Sequence, residues 1–163
     1  MDALRKELIS DLGYHSHILD IHNDPFFDFF SDNAHTFQNP HVNEAVLFFN
    51  TALNFLDTPS DDSRELGVLV GDYLFSKFYL KLAEHEEYEV LHDMMNMSKS
   101  LSSTKSELAL KESSPQLEEL KWLLYGPMLY LIKHGYADDS LNDVIDERIK
   151  NLNITSLPYI NHK

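Results

Sequence analysis

Two acidic segments of this sequence contain the residue type that proteins use to hold divalent cations. The first is DTPSDD, residues 57–62, and the second covers residues 138–146. Carboxylates that converge on one divalent cation can hold it where negative charge develops in a reaction. Pro59 separates the acids of the first segment, so they cannot share one helical face. We interpret them as helix-terminal acids, which the helix dipole favours, and Asp139 and Asp143 of the second segment fit the same role.

Histidines and nucleophiles give no stronger indication of a catalytic site. The chain has nine histidines and no cysteine. His15 with His22, and His85 with His92, are seven residues apart, too far for one ion without a third ligand. The absence of cysteine excludes disulfides, thiolate catalysis and cysteine-based zinc sites. The sequence therefore predicts no catalytic residue, no metal ligand and no cofactor in this chain.

Composition narrows the class of protein further. The 163 residues include 27 acidic and 13 basic side chains, a formal net charge of −14, and 43% hydrophobic residues. One domain of residues 1–163 with a real hydrophobic core is expected. An acidic surface repels phosphate backbones, so no nucleic-acid partner is expected. Neither a transmembrane segment nor the apolar region of a signal peptide is evident, so we expect a cytoplasmic protein.

Helical periodicity dominates the whole chain and predicts an all-α fold. Asn39-Pro40 is a good helix start, because Asn is a preferred cap and Pro a preferred first residue. The helix near Pro127 should bend, and Asp139-Ser140 should open the last helix. The segment PFFDFF, residues 25–30, shows a mixed pattern and receives no assignment. The apolar stripe after Pro40 consists of Val42, Ala45, Val46, Phe49, Leu53 and Leu56.

Residues 64–85, RELGVLVGDYLFSKFYLKLAEH, form the most unusual predicted helix. Apolar side chains cover well over half of its circumference at about 100° per residue. Such a helix is either the centre of a bundle or has one side completed by another chain. Gly67 and Gly71 cost roughly 1 kcal/mol each inside a helix, which suggests a closely packed neighbour. Asp72 is interpreted as a structural acid, hydrogen-bonded in the core, in preference to a catalytic carboxylate.

A family resemblance rests on this helix and the segment before it. LGVLVGDYLFSKFYLKLAEH, with Gly71-Asp72-Tyr73-Leu74, resembles the helix that follows the first aspartate-rich region of trans-prenyl diphosphate synthases. NEAVLFFNTALNFLDTPSDD stands where those enzymes carry that region. The chain is most similar to the small subunit, component 1, of bacterial two-component heptaprenyl or hexaprenyl diphosphate synthases. The resemblance covers about residues 43–110.

The resemblance implies a truncated prenyl synthase fold without its own catalytic motifs. Neither acidic segment matches the family's metal-binding pattern, and the paired arginines that bind diphosphate are missing. The chain would then be the non-catalytic regulatory subunit of a heterodimer, and its partner the catalytic large subunit, which would hold Mg²⁺. The complex would elongate farnesyl diphosphate with isopentenyl diphosphate for the menaquinone side chain. Two alternatives stay open: a stand-alone helical protein that binds a hydrophobic ligand or a partner helix, and a weak enzyme using its own acids.

The two apolar sides of the 64–85 helix are expected to pack against different surfaces, one against the chain's own core and one against another chain. In catalytic relatives the corresponding helix lies at or near the subunit interface. We therefore predict that the glycine side faces the partner and that the side with Leu66, Tyr73 and Leu80 faces the chain's own core. The interface candidates are Gly67, Gly71, Leu74 and Phe78.

Overall fold

A computed structural model of the protein describes residues 2–13, 24–33, 37–57, 64–110, 115–152 and 157. Within these residues every regular element is a helix, so the predicted all-α class is confirmed there. The helices are α1 (Asp2–Leu12), α2 (Pro25–Asp32), α3 (Pro40–Asp57), α4 (Arg64–Glu84), α5 (Tyr88–Leu110), α6 (Leu117–Lys133) and α7 (Ser140–Lys150).

Helix boundaries follow the local chemistry of the sequence. α1 ends at Leu12 and is followed by Gly13, whose φ of +55° would be strained for a residue with a Cβ. α3 begins at Pro40 as predicted, with the carbonyl of Asn39 accepting from the Val42 N–H at 3.0 Å. α7 begins at Ser140 as predicted, but the side-chain cap differs. The carboxylate of Asp138 accepts from the Ser140 N–H at 3.1 Å, whereas Asp139 makes no capping bond.

The segment PFFDFF, which received no assignment, forms α2. Asp24 caps it by accepting from the Phe26 N–H at 2.9 Å, and Pro25 occupies the first turn. The four phenylalanines of α2 are all buried, including Phe26, whose ring centroid lies 5.4 Å from that of Tyr125 on α6. Burial raises the pKa of Asp24, although Arg148 opposes that effect. α2 is therefore stabilised by its cap and by tertiary packing.

α3 is the central helix of the bundle. It packs most extensively on α4 and also contacts α6. Its residues 45–50 are all buried, including the polar Asn50. Phe49 meets α4 through the rings of Phe78, at 4.7 Å between centroids, and Phe75, at 5.8 Å. This aromatic contact orients α4 against the core.

The predicted bend in α6 is confirmed at Tyr125, whose φ of −133° and ψ of 24° are not helical. Pro127 cannot donate a backbone hydrogen bond, so the helix loses a bond in this turn. Beside this turn, Asn54 of α3 donates from its side-chain amide to the carbonyl of Leu124 at 2.8 Å. About three turns earlier in α3, Asn43 donates to the carbonyl of Tyr136 at 3.1 Å. These two amides tie α3 to α6 and to the turn after it.

Candidate functional site

The most conspicuous surface feature is one side of α4. Leu69 is 64% exposed, Tyr79 55%, Leu80 54% and Val68 51%, although large apolar side chains are usually buried. Asp72 and Ser76, which lie between them along the helix, are also exposed. Half of the large exposed hydrophobic side chains found among the described residues belong to this one helix. We call Val68, Leu69, Asp72, Ser76, Tyr79 and Leu80 the outer face of α4.

A shallow hollow of about 550 Å³ lies on this face. Its described lining residues all come from α4: Asp72, Phe75, Ser76, Tyr79 and Leu80. A carboxylate and two hydroxyls are thus set among apolar groups, which suits recognition of another molecule through apolar contact and a few polar ones. Neither a histidine nor a second acid stands among these described lining residues.

The opposite side of α4 is held firmly in the core. Leu74 is fully buried and Phe78 is 1% exposed. Val70 and Gly71, one turn earlier in the helix, are buried as well. Lys81 extends this side with a salt bridge to Glu44 of α3. We call the buried residues Val70, Gly71, Leu74, Phe78 and Leu82 the inner face of α4.

These positions reverse the predicted orientation of the helix. Of the four interface candidates, Gly71, Leu74 and Phe78 lie on the inner face, so the prediction that they face a partner is wrong. Gly67 is half-buried, and no described atom lies within 4 Å of a Cβ built on it. The prediction assumed that the glycines mark the place where a partner chain comes closest to α4. In the structure, the large side chains of Phe78 and Leu74 fill the space between α4 and α3 instead.

The predicted core side of α4 also differs from the structure. Leu80 is exposed and Tyr73 only half-buried, while the side chain of Leu66 lies outside the described residues. Asp72 is exposed, so the interpretation of a core carboxylate is wrong. A charged side chain costs little at the surface and much in the core, so its position on the outer face agrees with elementary solvation.

α1 flanks α4 through a polar contact at the border between the two faces. The Tyr73 hydroxyl donates to Asp11 at 2.5 Å, and Lys77 forms salt bridges with Glu7 and Asp11. Burial, together with the nearby Asp11 charge, raises the pKa of Tyr73. The hydrogen bond from Tyr73 lowers the pKa of Asp11, and Glu7 raises that of Lys77. The contact fixes α1 beside α4, while Leu69 and Tyr79 of the outer face are more than half exposed.

A second polar cluster, at the start of α3, escaped the sequence analysis. The His41 ring stacks on His85 with centroids 4.2 Å apart, and its Nε2 lies 2.8 Å from Glu87 Oε1. A separate polar contact joins α6 to α5, where the Tyr130 hydroxyl donates to Asp93 at 2.7 Å. No sequence spacing relates these residues, since His41 and Glu87 are 46 positions apart. Their proximity follows from the packing of α3 on the turn between α4 and α5.

The absence of a metal site in this chain stays a prediction, because the structure describes only part of the acidic side chains. Among the described ranges, no group of three or more acidic or histidine side chains is placed to hold a metal ion. Residues 58–63 and the side chain of Asp57 lie outside the described residues. In the second acidic segment, Asp146 forms a salt bridge with Lys121 at 2.6 Å. Across the described helices, none is long and apolar enough to cross a membrane.

Comparison with known proteins identifies no relative. No protein-family model, curated protein or solved structure matches the chain. The family resemblance of residues 43–110 therefore remains a hypothesis, and the outer face of α4 is the feature from which a function can be argued.

Proposed function

We propose that this protein is a non-catalytic subunit that binds another protein chain through the outer face of α4. The observation that carries the proposal is the exposure of Val68, Leu69, Tyr79 and Leu80 together on one helix. Clustered exposed apolar side chains are typical of interaction sites, and aromatic residues such as Tyr79 are common anchors there. The core itself does not need these four residues, because the inner face already fills the space against α3.

The resemblance of residues 43–110 supplies the candidate partner. It is the catalytic large subunit of a long-chain trans-prenyl diphosphate synthase, which would carry the Mg²⁺ and the reacting diphosphates. The complex would add isopentenyl units to farnesyl diphosphate and make a heptaprenyl or hexaprenyl chain for menaquinone. The chain described here would complete the partner's fold and help to shape the elongation tunnel.

A stand-alone protein that binds a partner helix is the second candidate, and the hollow on the outer face supports it. The hollow is lined by one helix among the described residues and suits a side chain of a docked helix. Enclosure of a long hydrophobic ligand is less well supported, since ligand sites usually surround most of the ligand surface. The two candidates use the same surface and differ in the identity of the bound chain.

Binding and catalysis of the reconstituted pair test this proposal. The purified chain should make no prenyl diphosphate from farnesyl and isopentenyl diphosphates with Mg²⁺, and addition of the large subunit should give long-chain product. Tyr79→Asp should abolish capture of the large subunit, because docking would bury an unpaired charge. Leu110→Asp is the control, since Leu110 is 86% exposed and belongs to another helix, α5.

Three results would contradict the proposal at different levels. Turnover by the isolated chain would show that it is an enzyme. Capture of the large subunit that Tyr79→Asp leaves unchanged would exclude the outer face. Failure of the wild-type chain to bind any such large subunit would remove the prenyl synthase assignment and leave the second candidate.

A further inference from the structure

The outer face of α4 has an internal symmetry that points to a specific occupant. Its residues are arranged in mirror order about Leu74: Leu69 and Tyr79 lie five positions to either side, and Asp72 and Ser76 lie two positions to either side. In two antiparallel helices related by a two-fold axis, residues at equal distances from the axis meet across the interface. A helix that carries apolar residues in the outer positions and a complementary polar pair in the inner ones is self-complementary in this arrangement.

The spacing of these residues also suits an antiparallel helix pair. Leu69 and Ser76 are seven positions apart, as are Asp72 and Tyr79, so they occupy the a and d positions of a heptad. With the axis at Leu74, each a residue lies beside a d residue of the other helix. This gives two outer layers of Leu69 with Tyr79 and two inner layers of Asp72 with Ser76. Val68 and Leu80 extend the apolar contact at the edges.

We propose that, in the absence of another partner, the outer face of α4 pairs with the outer face of a second copy. The two helices would run antiparallel, and the two-fold axis would cross them at the level of Leu74 along the helix. The Ser76 hydroxyl of each copy would donate one hydrogen bond to the Asp72 carboxylate of the other, which offsets part of the cost of covering that charge. Gly67 and the inner face take no part. The inference uses the surface assigned under the proposed function but does not depend on the identity of the large subunit.

Electrostatics sets the conditions under which this pair forms. Each copy has a formal charge of −14, which opposes self-association. Repulsion between charges farther apart than the Debye length, about 8 Å at physiological ionic strength, is largely screened. Asp72 is the one charged residue of the outer face as defined, and its nearest cross-copy neighbour is Ser76. The dimer should therefore tighten as salt is added, which is the opposite of a contact between an acidic chain and a basic partner.

The cysteine-free sequence allows a direct test of the register. Leu69→Cys and Tyr79→Cys are made as two separate proteins and oxidised alone and as an equimolar mixture. A disulfide requires Cα atoms within about 7 Å, a distance that antiparallel pairing gives only between position 69 of one copy and position 79 of the other. The same position in the two copies would be offset by roughly 15 Å along the helix axis. The mixture should therefore give cross-linked dimer well above either single protein.

The solution mass completes the test. The wild-type chain should sediment as a concentration-dependent dimer of twice 18.9 kDa, with more dimer at higher salt. Leu69→Asp should give a monomer with unchanged helical content, because Leu69 is exposed, whereas Leu110→Asp should keep the dimer. Ser76→Lys should tighten the dimer at least several-fold by placing a cation opposite Asp72, and Ser76→Glu should weaken it.

The outcomes separate this inference from the proposed function. A monomeric wild-type chain at all concentrations, or efficient cross-linking of each single cysteine protein with itself, would overturn the inference and leave capture of the large subunit as proposed. Efficient cross-linking in the mixture, together with failure to capture the large subunit, would support self-association and contradict the heteromeric assignment.

Discussion

The inner and outer faces of α4 both carry aliphatic and aromatic side chains but lie in opposite environments. The inner face places Leu74 and Phe78 in the core, and the outer face leaves Leu69 and Tyr79 more than half exposed. Only the outer face also carries polar side chains, Asp72 and Ser76, but the large apolar residues of the two faces are of the same kinds. The difference is that α3 presents Phe49 and its neighbours to one side, while the described residues leave the other side open. The outer face of α4 is therefore the surface to test for binding of another chain.

The largest expected effect comes from adjacent aromatic residues on the two faces. Phe78→Ala should lower the free energy of unfolding of the isolated chain by about 3–5 kcal/mol, because it leaves a cavity beside Phe49. Tyr79→Ala, one position away, should change it by at most about 0.5 kcal/mol, as for other surface substitutions. Chemical denaturation followed by circular dichroism measures both. Equal losses would show that the outer face is covered within the chain.

A smaller effect of opposite sign is expected at the first glycine of α4. Gly67→Ala should raise the free energy of unfolding by up to about 1 kcal/mol, because alanine is the better helix former and the added Cβ meets no described atom within 4 Å. Gly71→Ala should gain less, since Gly71 is buried on the inner face. Thermal melting of the two variants compares them. A clear loss of stability in Gly67→Ala would reveal a close neighbour at that position.

The smallest expected effect on stability at neutral pH concerns Tyr73, which lies at the border between the inner and outer faces. Burial and the Asp11 charge raise its pKa above the ordinary value of a phenol, which is about 10. The folded state therefore binds the phenolic proton more tightly than the unfolded state does. The resulting stabilisation is fully present below about pH 10 and is lost as pH rises through the folded pKa. Tyr73→Phe should remove this alkaline loss of stability.

Absorbance titration of the phenolate gives an independent check on Tyr73. In the wild-type chain this phenol should ionise at a higher pH than a free tyrosine, and Asp11→Asn should shift its ionisation back towards the ordinary value. An alkaline unfolding curve that is identical in the wild type and Tyr73→Phe would mean that α1 does not dock on α4 through this bond in solution.

Local chemistry accounts for the elements that could be predicted. Pro40 has no N–H to satisfy and suits a helix start, and Pro127 removes a backbone bond and bends α6 wherever that helix packs. Each of these effects depends on a few neighbouring residues, so it can be read from the sequence. The Asp138 cap and the helical state of PFFDFF were missed for different reasons. Asp138 and Asp139 are equivalent candidates by residue type, and α2 owes its stability to buried phenylalanines with partners on distant helices.

The sequence by itself determined that the chain is helical, acidic and free of cysteine, and that residues 64–85 form a helix with more apolar surface than one side requires. Only the tertiary structure decided which side of that helix is buried. A helix that is apolar around most of its circumference has no periodic signal to indicate its orientation. Orientation then depends on which side chains fit against α3, and Phe78 and Leu74 fit there in contact with Phe49 and its neighbours. The polar exception, Asp72, faces outward because ionised carboxylates stay in water unless a partner satisfies them.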